Sequence, residues 1–387
     1  MKSTIEQSFK NLKTYCEKEN FKGYDPFDGL NSKLFQSIPF INKNGFFQLA
    51  WIQFFKRSPI NFRKLVGINK EYNPKGLGLF LLGYSKLYQL NNSKENKNRI
   101  TFLADTLLKL QTKGYSGACW GYNFDWKARA FFLPKKTPTV VATSFIAEAF
   151  IEAYEITKNE QYLQTAISAA QFILKDLNRT YDNNGDFSFS YSPLDKTQVF
   201  NASLLGAKLL ALVYNYTKDR SLLTEAKKAV NYVCNRQNKN GSWAYGTLPF
   251  HQWIDSFHTG YNLESIYIYQ KYTKDFDYNE HINKGKDYYL KNFFTKEGIP
   301  KYYNNKIYPI DVHAPAQLIV TLYKLDSLNN NRKLVDQVLH WTINVMQSLN
   351  GHFYYQKRKY FTNKISYMRW SQAWMFYAFS YYLNSNK

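Results

Sequence analysis

Apolar segments recur along the chain at a nearly constant interval. Mostly apolar stretches with helical spacing begin near Lys75, Pro138, Val199, His258, His313 and Arg369, so successive starts lie 63, 61, 59, 55 and 56 residues apart. Amphipathic stretches alternate with them, with apolar residues at i, i+3, i+4 and i+7, and they begin near Thr4, Glu95, Glu160, Arg220, Glu280 and Arg332. The pattern predicts twelve helices of two kinds.

The two kinds of helix predict two layers. A helix that is apolar all round belongs in the interior, whereas a helix with one apolar face belongs on the outside. Six such hairpins cannot bury their faces alone but are stable as a closed ring. We therefore expect an all-α fold, an (α/α)6 toroid of six helical hairpins with inner and outer helix rings. Residues 1–74 would supply an N-terminal outer helix and a long rim segment with an extra helix near 46–55, and residues 75–387 the remainder of a single domain.

Two short motifs mark the joints. Thr-Lys-Asn/Asp occurs at 157–159, 217–219 and 273–275, each time at the end of an apolar segment. RQNKNGSWAYG at 236–246 fits Q-x-x-x-G-x-W, with a looser copy near Gln347. This motif resembles the QW repeat of terpene cyclases and protein prenyltransferases, and it predicts a turn that ties the end of an outer helix to the next loop. The acidic DxDD and DDxxD motifs of isoprenoid enzymes do not occur in the sequence.

The joints that lead into the apolar helices are long and carry most of the candidate chemistry. In a toroid these joints all emerge at one rim, and long loops on a rigid scaffold commonly carry function. Aromatic rings there would stack on the C–H face of a sugar, while carboxylates and imidazoles would transfer protons. The candidate catalytic residues are Asp125, Asp255, His258, Asp311 and His313, and the candidate substrate-binding residues are Trp120, Arg129, Tyr191, Asp195, Trp253, Tyr367, Arg369 and Trp370.

Some of these residues also have a purely structural interpretation. Asp255 and Asp311 stand just before apolar helices, where Asp commonly caps the helix N-terminus. His258 and His313 could be ordinary hydrogen-bonded histidines at helix starts. The recurrence of charged and aromatic residues at the same joint of successive hairpins favours a ligand site at this rim.

Composition and charge narrow the class of ligand. The 33 Tyr, 30 Phe and 8 Trp favour a groove that stacks on flat ligands, and 51 Lys+Arg against 29 Asp+Glu give a net charge of +22. The lysines are spread over outer helices and turns, and no nucleic-acid-binding motif occurs, so nucleic acid is not expected as a partner. An acidic carbohydrate fits the charge and the aromatics better, with its carboxylate paired to Arg129 or Arg369.

The sequence predicts neither a cofactor nor a metal site. The three cysteines, Cys16, Cys119 and Cys234, lie far apart and without CxxC spacing, which disfavours a zinc site or a disulfide framework and favours a reducing compartment. The N-terminus has no apolar signal segment and the longest apolar runs are too short to cross a bilayer. We expect a cytoplasmic protein that does not insert into membranes.

The long joints GYNFDW, WIDSFHTGYNLE and YPIDVHAPAQ, together with the six hairpins, give the chain a resemblance to carbohydrate-active (α/α)6 toroids from about residue 70 to 387. Unsaturated glucuronyl hydrolases and N-acylglucosamine 2-epimerases are the families it is most similar to in kind. In the former an Asp protonates the double bond of the substrate, which implies Asp125 or Asp255 here. The latter use paired histidines, which implies His258 with His313.

The sequence thus favours a carbohydrate-active enzyme. Its substrate would be an acidic or amino sugar unit of a bacterial polysaccharide, possible reactions being hydrolysis, elimination or epimerisation by acid/base chemistry. A non-catalytic glycan-binding or scaffold toroid and an isoprenoid enzyme are the alternatives. The oligomeric state stays open.

Overall fold

The computed structural model describes residues 2–385 and contains all twelve predicted helices, with two more in the rim segment. In chain order the helices are α1 (Lys2–Lys18), α2 (Lys33–Gln36), α3 (Gly45–Arg57), α4 (Pro74–Leu90), α5 (Lys94–Lys109), α6 (Val140–Thr157), α7 (Glu160–Asp176), α8 (Phe200–Thr217), α9 (Arg220–Cys234), α10 (Ser256–Thr273), α11 (Asn279–Phe293), α12 (His313–Lys324), α13 (Arg332–Met346) and α14 (Trp374–Asn384). Helix α3 is the extra helix predicted near 46–55. None of the described helices is long and apolar enough to cross a membrane.

Burial separates the helices into two rings. In α8 every residue from Phe200 to Val213 is buried, whereas α9 buries one stripe that includes Leu222, Ala226 and Val230. The even-numbered helices α4 to α14 form the inner ring, in which each packs against the next and α14 packs back against α4. Helix α1 packs against α13 and α14 and so joins the outer ring. The predicted (α/α)6 toroid is confirmed.

The Thr-Lys-Asn/Asp motif reverses the chain from an inner to an outer helix. Its lysine ends the inner helix in the left-handed conformation, with φ of 56°, 58° and 62° at Lys158, Lys218 and Lys274. The threonine hydroxyl oxygen accepts the backbone N–H two residues later, at 3.2, 3.3 and 3.3 Å in the three copies. In the first two copies the third residue then caps the following helix, so three residues suffice for the turn.

The Q-x-x-x-G turns follow the ends of outer helices and also bind the neighbouring outer helix, a contact that the sequence did not predict. The Gln237 side-chain amide donates to the carbonyls of Gly241 and of His281 on α11, both at 2.9 Å. Gln347 repeats this arrangement with Gly351 at 2.9 Å and with Ser8 on α1 at 3.0 Å. Gly241 has a φ of 89°, and a Cβ there would lie 2.3 Å from the Lys284 carbonyl oxygen, so only glycine fits.

The long joints build one rim of the toroid and contain its short strands. These are β1 (Trp126–Lys127), β2 (Phe132–Leu133), β3 (Arg179–Tyr181), β4 (Phe187–Phe189), β5 (Ile310–Asp311), β6 (Gln356–Lys357) and β7 (Thr362–Asn363). β1 pairs with β2, β3 with β4, and β6 with both β5 and β7, always antiparallel. A π-helical segment, Met368–Ala373, leads into α14, and such segments are frequent at functional sites.

A cluster of buried charges lies farther along the inner helices. Lys208 of α8 donates to Glu148 of α6 and to Glu264 of α10, at 2.8 Å each. Lys324 of α12 pairs with the same two glutamates. Burial alone would raise the pKa of Glu148, but the two lysines outweigh it and hold that pKa at about 2. The cluster therefore pairs two lysines with two glutamates inside the barrel.

Candidate active site

A pocket of about 480 Å³ opens at the rim built by the long joints. Its floor and walls come from the first residues of the inner helices, among them Lys75 of α4, Asn201 of α8 and His313 of α12. Helix α3 closes one side with Leu49, Ile52, Gln53, Lys56 and Arg57. The helix starts of different hairpins therefore converge on one cavity.

His258, in one wall of the pocket, is held by Asp255 at the start of α10. Asp255 caps α10 by accepting the backbone N–H of His258 at 2.9 Å, and its other oxygen lies 2.7 Å from His258 Nδ1. The same oxygen accepts the indole N–H of Trp253 at 2.9 Å. Because a carboxylate accepts from Nδ1–H, it leaves Nε2 as the basic nitrogen of a neutral imidazole. The His258 side chain lines the pocket and is 22% exposed.

The next hairpin repeats part of this arrangement around His313. Asp311 accepts the backbone N–H of His313 at 3.0 Å and the indole N–H of Trp370 at 2.9 Å. Only the backbone of His313 is bound to this carboxylate. Its ring is hydrogen-bonded instead to Tyr261, with Nε2 2.8 Å from the Tyr261 hydroxyl. Burial, followed by the nearby charge of Lys75, lowers the pKa of His313 well below its usual value. His313 is therefore a neutral imidazole joined to a phenol.

Two aromatic side chains, Phe257 and Tyr261, each pack against both His258 and His313. The ring centroid of Phe257 lies 4.4 Å from that of His258 and 4.4 Å from that of His313, and it is parallel to the latter within 3°. The Tyr261 ring contacts both imidazoles, at 5.8 and 5.9 Å. The two imidazoles thus line the same pocket and are held by packing as well as by hydrogen bonds.

Lys75 lies at the start of α4 and lines the same pocket, although it is nearly buried. Its amine nitrogen lies 4.6, 5.5 and 5.3 Å from the ring centroids of Phe145, Tyr261 and Trp374. Burial, followed by repulsion from Arg369, lowers the pKa of Lys75 well below its usual value. A lysine of this kind is a ready hydrogen-bond donor and a potential base.

Arg369 is fixed at the pocket wall by the N-terminal rim segment. Asp25 accepts from its Nε at 2.6 Å and from a terminal nitrogen at 2.8 Å. Arg63 supports this arrangement by donating to the Asp25 carbonyl at 2.9 Å and to Asp28 at 2.7 Å. The rim segment thereby orients a guanidinium that lines the pocket.

The pocket lining is cationic. Among the residues that the structure describes, no Asp or Glu lines it, whereas six basic residues do: Lys56, Arg57, Lys75, Lys127, Arg129 and Arg369. Burial lowers the pKa of Lys56 to about 8, against the opposing charge of Asp311. No group of three His, Cys, Asp or Glu side chains in residues 2–385 is arranged to hold a metal ion. The pocket is suited to a ligand with negative charge.

The structure brings together seven of the predicted site residues at this pocket: Arg129, Tyr191, Trp253, His258, His313, Arg369 and Trp370. Asp255 and Asp311 lie directly behind them, where each holds an indole N–H and the start of a helix. Burial raises the pKa of Asp311 to about 6, although three hydrogen bonds oppose that shift. Both carboxylates position side chains that line the pocket.

Four predicted residues lie elsewhere. Trp120 is completely buried and donates its indole N–H to the Leu107 carbonyl at 2.8 Å, so it packs in the core and offers no face to a sugar. Tyr367 is also completely buried, with its hydroxyl directed at the Phe55 carbonyl. Asp195 fixes its own loop through Ser192 and Thr197. Asp125 accepts the Lys135 backbone N–H and borders a separate surface groove.

Sequence reasoning missed several residues that line the pocket, notably Lys75, Asn201 and Tyr261. All three lie in the first two turns of an inner helix, in segments whose apolar character predicts core packing. A polar residue within a mostly apolar segment could have identified this site from the sequence. Burying a lysine costs free energy, so a lysine in such a helix indicates a specific role.

The architecture defined by this ring and its rim is the (α/α)6 toroid, and solved structures share it over most of the chain. The chain is similar to a cellobiose 2-epimerase from Bacillus thermoamylovorans (13% identity, 100% of both chains, TM-score 0.66). It is also similar to an unsaturated glucuronyl hydrolase specific for heparin (13% identity, 100% of this chain and 96% of that chain, TM-score 0.63). A third is the GH76 α-mannanase BT2949 of Bacteroides thetaiotaomicron (16% identity, 81% and 86%, TM-score 0.62).

These similarities establish a common fold. No family model matches the sequence, and no curated protein matches it significantly. The resemblance to (α/α)6 toroids that the sequence indicated is therefore confirmed at the level of architecture.

Proposed function

We propose that this protein is a sugar epimerase or isomerase that moves a proton at the carbon next to the carbonyl of an open-chain sugar. The observation that carries this proposal is the chemistry of the pocket lining: three histidines (His251, His258 and His313) and no carboxylate among the described residues. Glycoside hydrolysis ordinarily needs two carboxylates on opposite sides of the scissile bond. Epimerisation at a sugar carbon needs one group that removes a proton and a second that returns one from the other side, and His258 and His313 both line this pocket.

His258 is the proposed first base. Its Nδ1 is bound by Asp255 at 2.7 Å, so Nε2 is free to remove the proton from C2. The imidazolium that forms is stabilised by the Asp255 carboxylate behind it. Electrons from the broken C–H bond move into the carbonyl, which becomes an enediolate. Lys75 and Arg369 line the same pocket and would donate hydrogen bonds to its oxygens.

His313 with Tyr261 is the proposed second proton carrier. The Tyr261 hydroxyl lies 2.8 Å from His313 Nε2, which allows one proton to pass between them. Delivery of the Tyr261 hydroxyl proton to the opposite face of C2 restores the carbonyl and gives the epimer, and the proton that His258 removed returns to Tyr261 and His313 through solvent. Delivery to C1 instead gives the ketose. Similar structures named as a cellobiose 2-epimerase, a sugar epimerase and a D-mannose isomerase support this class of reaction.

The proposed substrate is an acidic sugar, with a uronate as the simplest case. Six basic residues line the pocket, and Arg129 and Arg369 can each bind a carboxylate through two N–H groups. A sugar with a free cationic amine would meet six basic side chains in the lining and no acidic one among the described residues. Trp253 and Trp370 supply aromatic walls against which the apolar face of the ring would pack.

The proposal is tested by proton NMR in D₂O with D-glucuronate, D-galacturonate, D-mannose and cellobiose. We expect deuterium to enter C2 of a uronate, and the signals of a second epimer or ketose to appear. His258→Gln and His313→Gln should each reduce conversion by about 10² or more. His340→Gln, on the outer helix α13, is the matched control and should react like the wild type.

The outcomes separate the remaining alternatives. A thermal shift with a uronate but no deuterium exchange would replace this proposal with the glycan-binding toroid. Cleavage of a glycoside without exchange at C2 would replace it with a hydrolase. A shift given only by a prenyl diphosphate would favour an isoprenoid enzyme.

A further inference from the structure

Exposed hydrophobic side chains are concentrated in the N-terminal rim segment, whose helix α3 forms one side of the pocket. Of the seventeen large hydrophobic side chains that are exposed among the described residues, seven lie between residues 34 and 65. They are Leu34, Phe40, Phe46, Phe47, Phe54, Ile60 and Leu65, which we call the aromatic rim face. Phe40 and Phe46 are 89% and 75% exposed. Exposed hydrophobic patches on soluble proteins commonly mark an interaction surface.

Helix α3 has one side that lines the pocket and another side that faces solvent. Phe47 and Phe54 point outward, while Gln53 and Lys56 line the pocket and Phe55 is buried. A helix on the surface of a soluble domain normally presents charged residues to water on its outer side. Here the outer side is aromatic.

The charge of the surrounding segment is entirely positive. Residues 29–70 contain seven Lys and Arg and no Asp or Glu. Lys33, Lys43, Arg57 and Lys64 of this segment are exposed. The β6–β7 hairpin lies next to the end of α3, where the Asn363 side-chain amide donates to the Ser58 carbonyl at 2.8 Å. The hairpin therefore adjoins the aromatic rim face. The hairpin tip carries the sequence KRKYF at 357–361.

We propose that the aromatic rim face docks on an anionic phospholipid surface. Aromatic side chains surrounded by lysine and arginine are the combination that binds a membrane interface: the rings enter the headgroup region and the cations attract acidic lipids. A second copy of the chain fits this face poorly, because self-association would bring two entirely basic segments together. Docking would hold the pocket, of which α3 forms one side, against the lipid surface. The proposal does not depend on the reaction carried out there.

Co-sedimentation with large unilamellar vesicles tests the proposal. We expect the protein to bind vesicles of phosphatidylcholine and phosphatidylglycerol (7:3) at least tenfold more tightly than vesicles of phosphatidylcholine alone. The triple variant F40S/F46S/F47S and the triple variant K33Q/K43Q/K64Q should each weaken binding at least tenfold. None of these six residues lines the pocket. Since all six side chains are exposed, circular dichroism and melting temperature should match the wild type.

The control variant F276S/L349S removes two hydrophobic side chains that are 57% and 105% exposed but lie outside this face. It should bind vesicles like the wild type. Equal, weak binding to both vesicle types would overturn the proposal. So would a control variant whose vesicle binding is weakened as much as that of the triple variants. Light scattering that shows a dimer, dissociated by F40S/F46S/F47S, would identify a second copy as the occupant instead.

Discussion

Asp255 binds His258 through both of its carboxylate oxygens. One accepts the His258 backbone N–H at 2.9 Å and the other lies 2.7 Å from the ring Nδ1. The spacing explains this, because the residue that caps a helix and the third residue of its first turn face each other. An Asp-x-x-His sequence at the start of an inner helix therefore builds the capping bond and the Asp–His pair together.

The first prediction concerns this pair. Asp255→Asn retains an oxygen for the capping bond, so the fold should persist. The amide would favour the tautomer of His258 that carries its proton on Nε2, which cannot accept a proton from the sugar. We expect turnover to fall by about 10²–10⁴, as when the carboxylate of a catalytic triad is replaced by an amide. The rate of C2 deuterium exchange measures this loss.

The matched control is Asp195→Asn. Asp195 is also buried and also fixes a loop, through Ser192 and Thr197, but it does not line the pocket. Asp195→Asn should change the melting temperature but have little effect on the rate of C2 deuterium exchange. Wild-type exchange in Asp255→Asn would contradict the assignment of His258 as an oriented base.

The second prediction concerns pH. Because the pKa of Lys56 is about 8, its charge is present at pH 7 and is lost as the pH rises to 9. The affinity for D-glucuronate should therefore fall about three- to tenfold over this range, the amount expected for one partly solvated charge. Lys56→Arg should remove the decline and Lys56→Met should bind weakly at both pH values. Titration calorimetry provides the affinities, and an unchanged affinity at pH 9 in the wild type would exclude Lys56 as an anion-binding group.

The third prediction concerns the buried charge cluster. Lys208→Met would leave Glu148 and Glu264 with only Lys324 between them. Breaking a buried ion pair by removing one partner typically costs about 3–5 kcal/mol of unfolding free energy. Lys271→Met is the control, since Lys271 pairs with Asp326 at an exposed site and should change stability by about 1 kcal/mol or less. Urea unfolding measures the loss of stability in both variants. Equal losses would show that the buried cluster contributes no more stability than a surface ion pair.

The fourth prediction concerns the turn that ties α9 to α11. Gly241 and Gly114 have φ of 89° and 90°, so alanine is strained at both positions. A Cβ at Gly241 would also lie 2.3 Å from the Lys284 carbonyl oxygen, whereas nothing lies within 4 Å at Gly114. Gly241→Ala should therefore destabilise the protein by about 1–3 kcal/mol more than Gly114→Ala does, as overpacking typically costs. Equal losses in urea unfolding would mean that backbone strain alone accounts for both.

The architecture could be predicted from sequence because its signal is repeated six times. The alternation of apolar and amphipathic helices recurs with every hairpin, and the Thr-Lys-Asn/Asp turn recurs in three of them. The pairing of Asp255 with His258 also follows from local spacing. These features depend on residues close together in the chain, where helix geometry fixes which side chains meet.

The features that sequence reasoning missed depend on which way a side chain points. Trp120 lies in a rim joint like Trp253, but its indole N–H finds a backbone carbonyl in the core, while that of Trp253 finds Asp255 beside the pocket. The cluster of Glu148, Lys208, Glu264 and Lys324 joins four helices, so no local pattern reveals its contacts. Its members are nevertheless spaced 60, 56 and 60 residues apart, at the period of the hairpins, and an alignment of the repeats would have exposed them.

The most direct test of proton transfer at C2 compares D-glucuronate with its methyl glycoside in D₂O. Only the free sugar can open to expose a carbonyl, and only a carbonyl makes the C2 proton acidic enough for an imidazole to remove. We predict that the wild-type protein introduces deuterium at C2 of the free uronate and leaves the glycoside unchanged. Release of methanol from the glycoside, with no deuterium at C2 of the free sugar, would contradict the account.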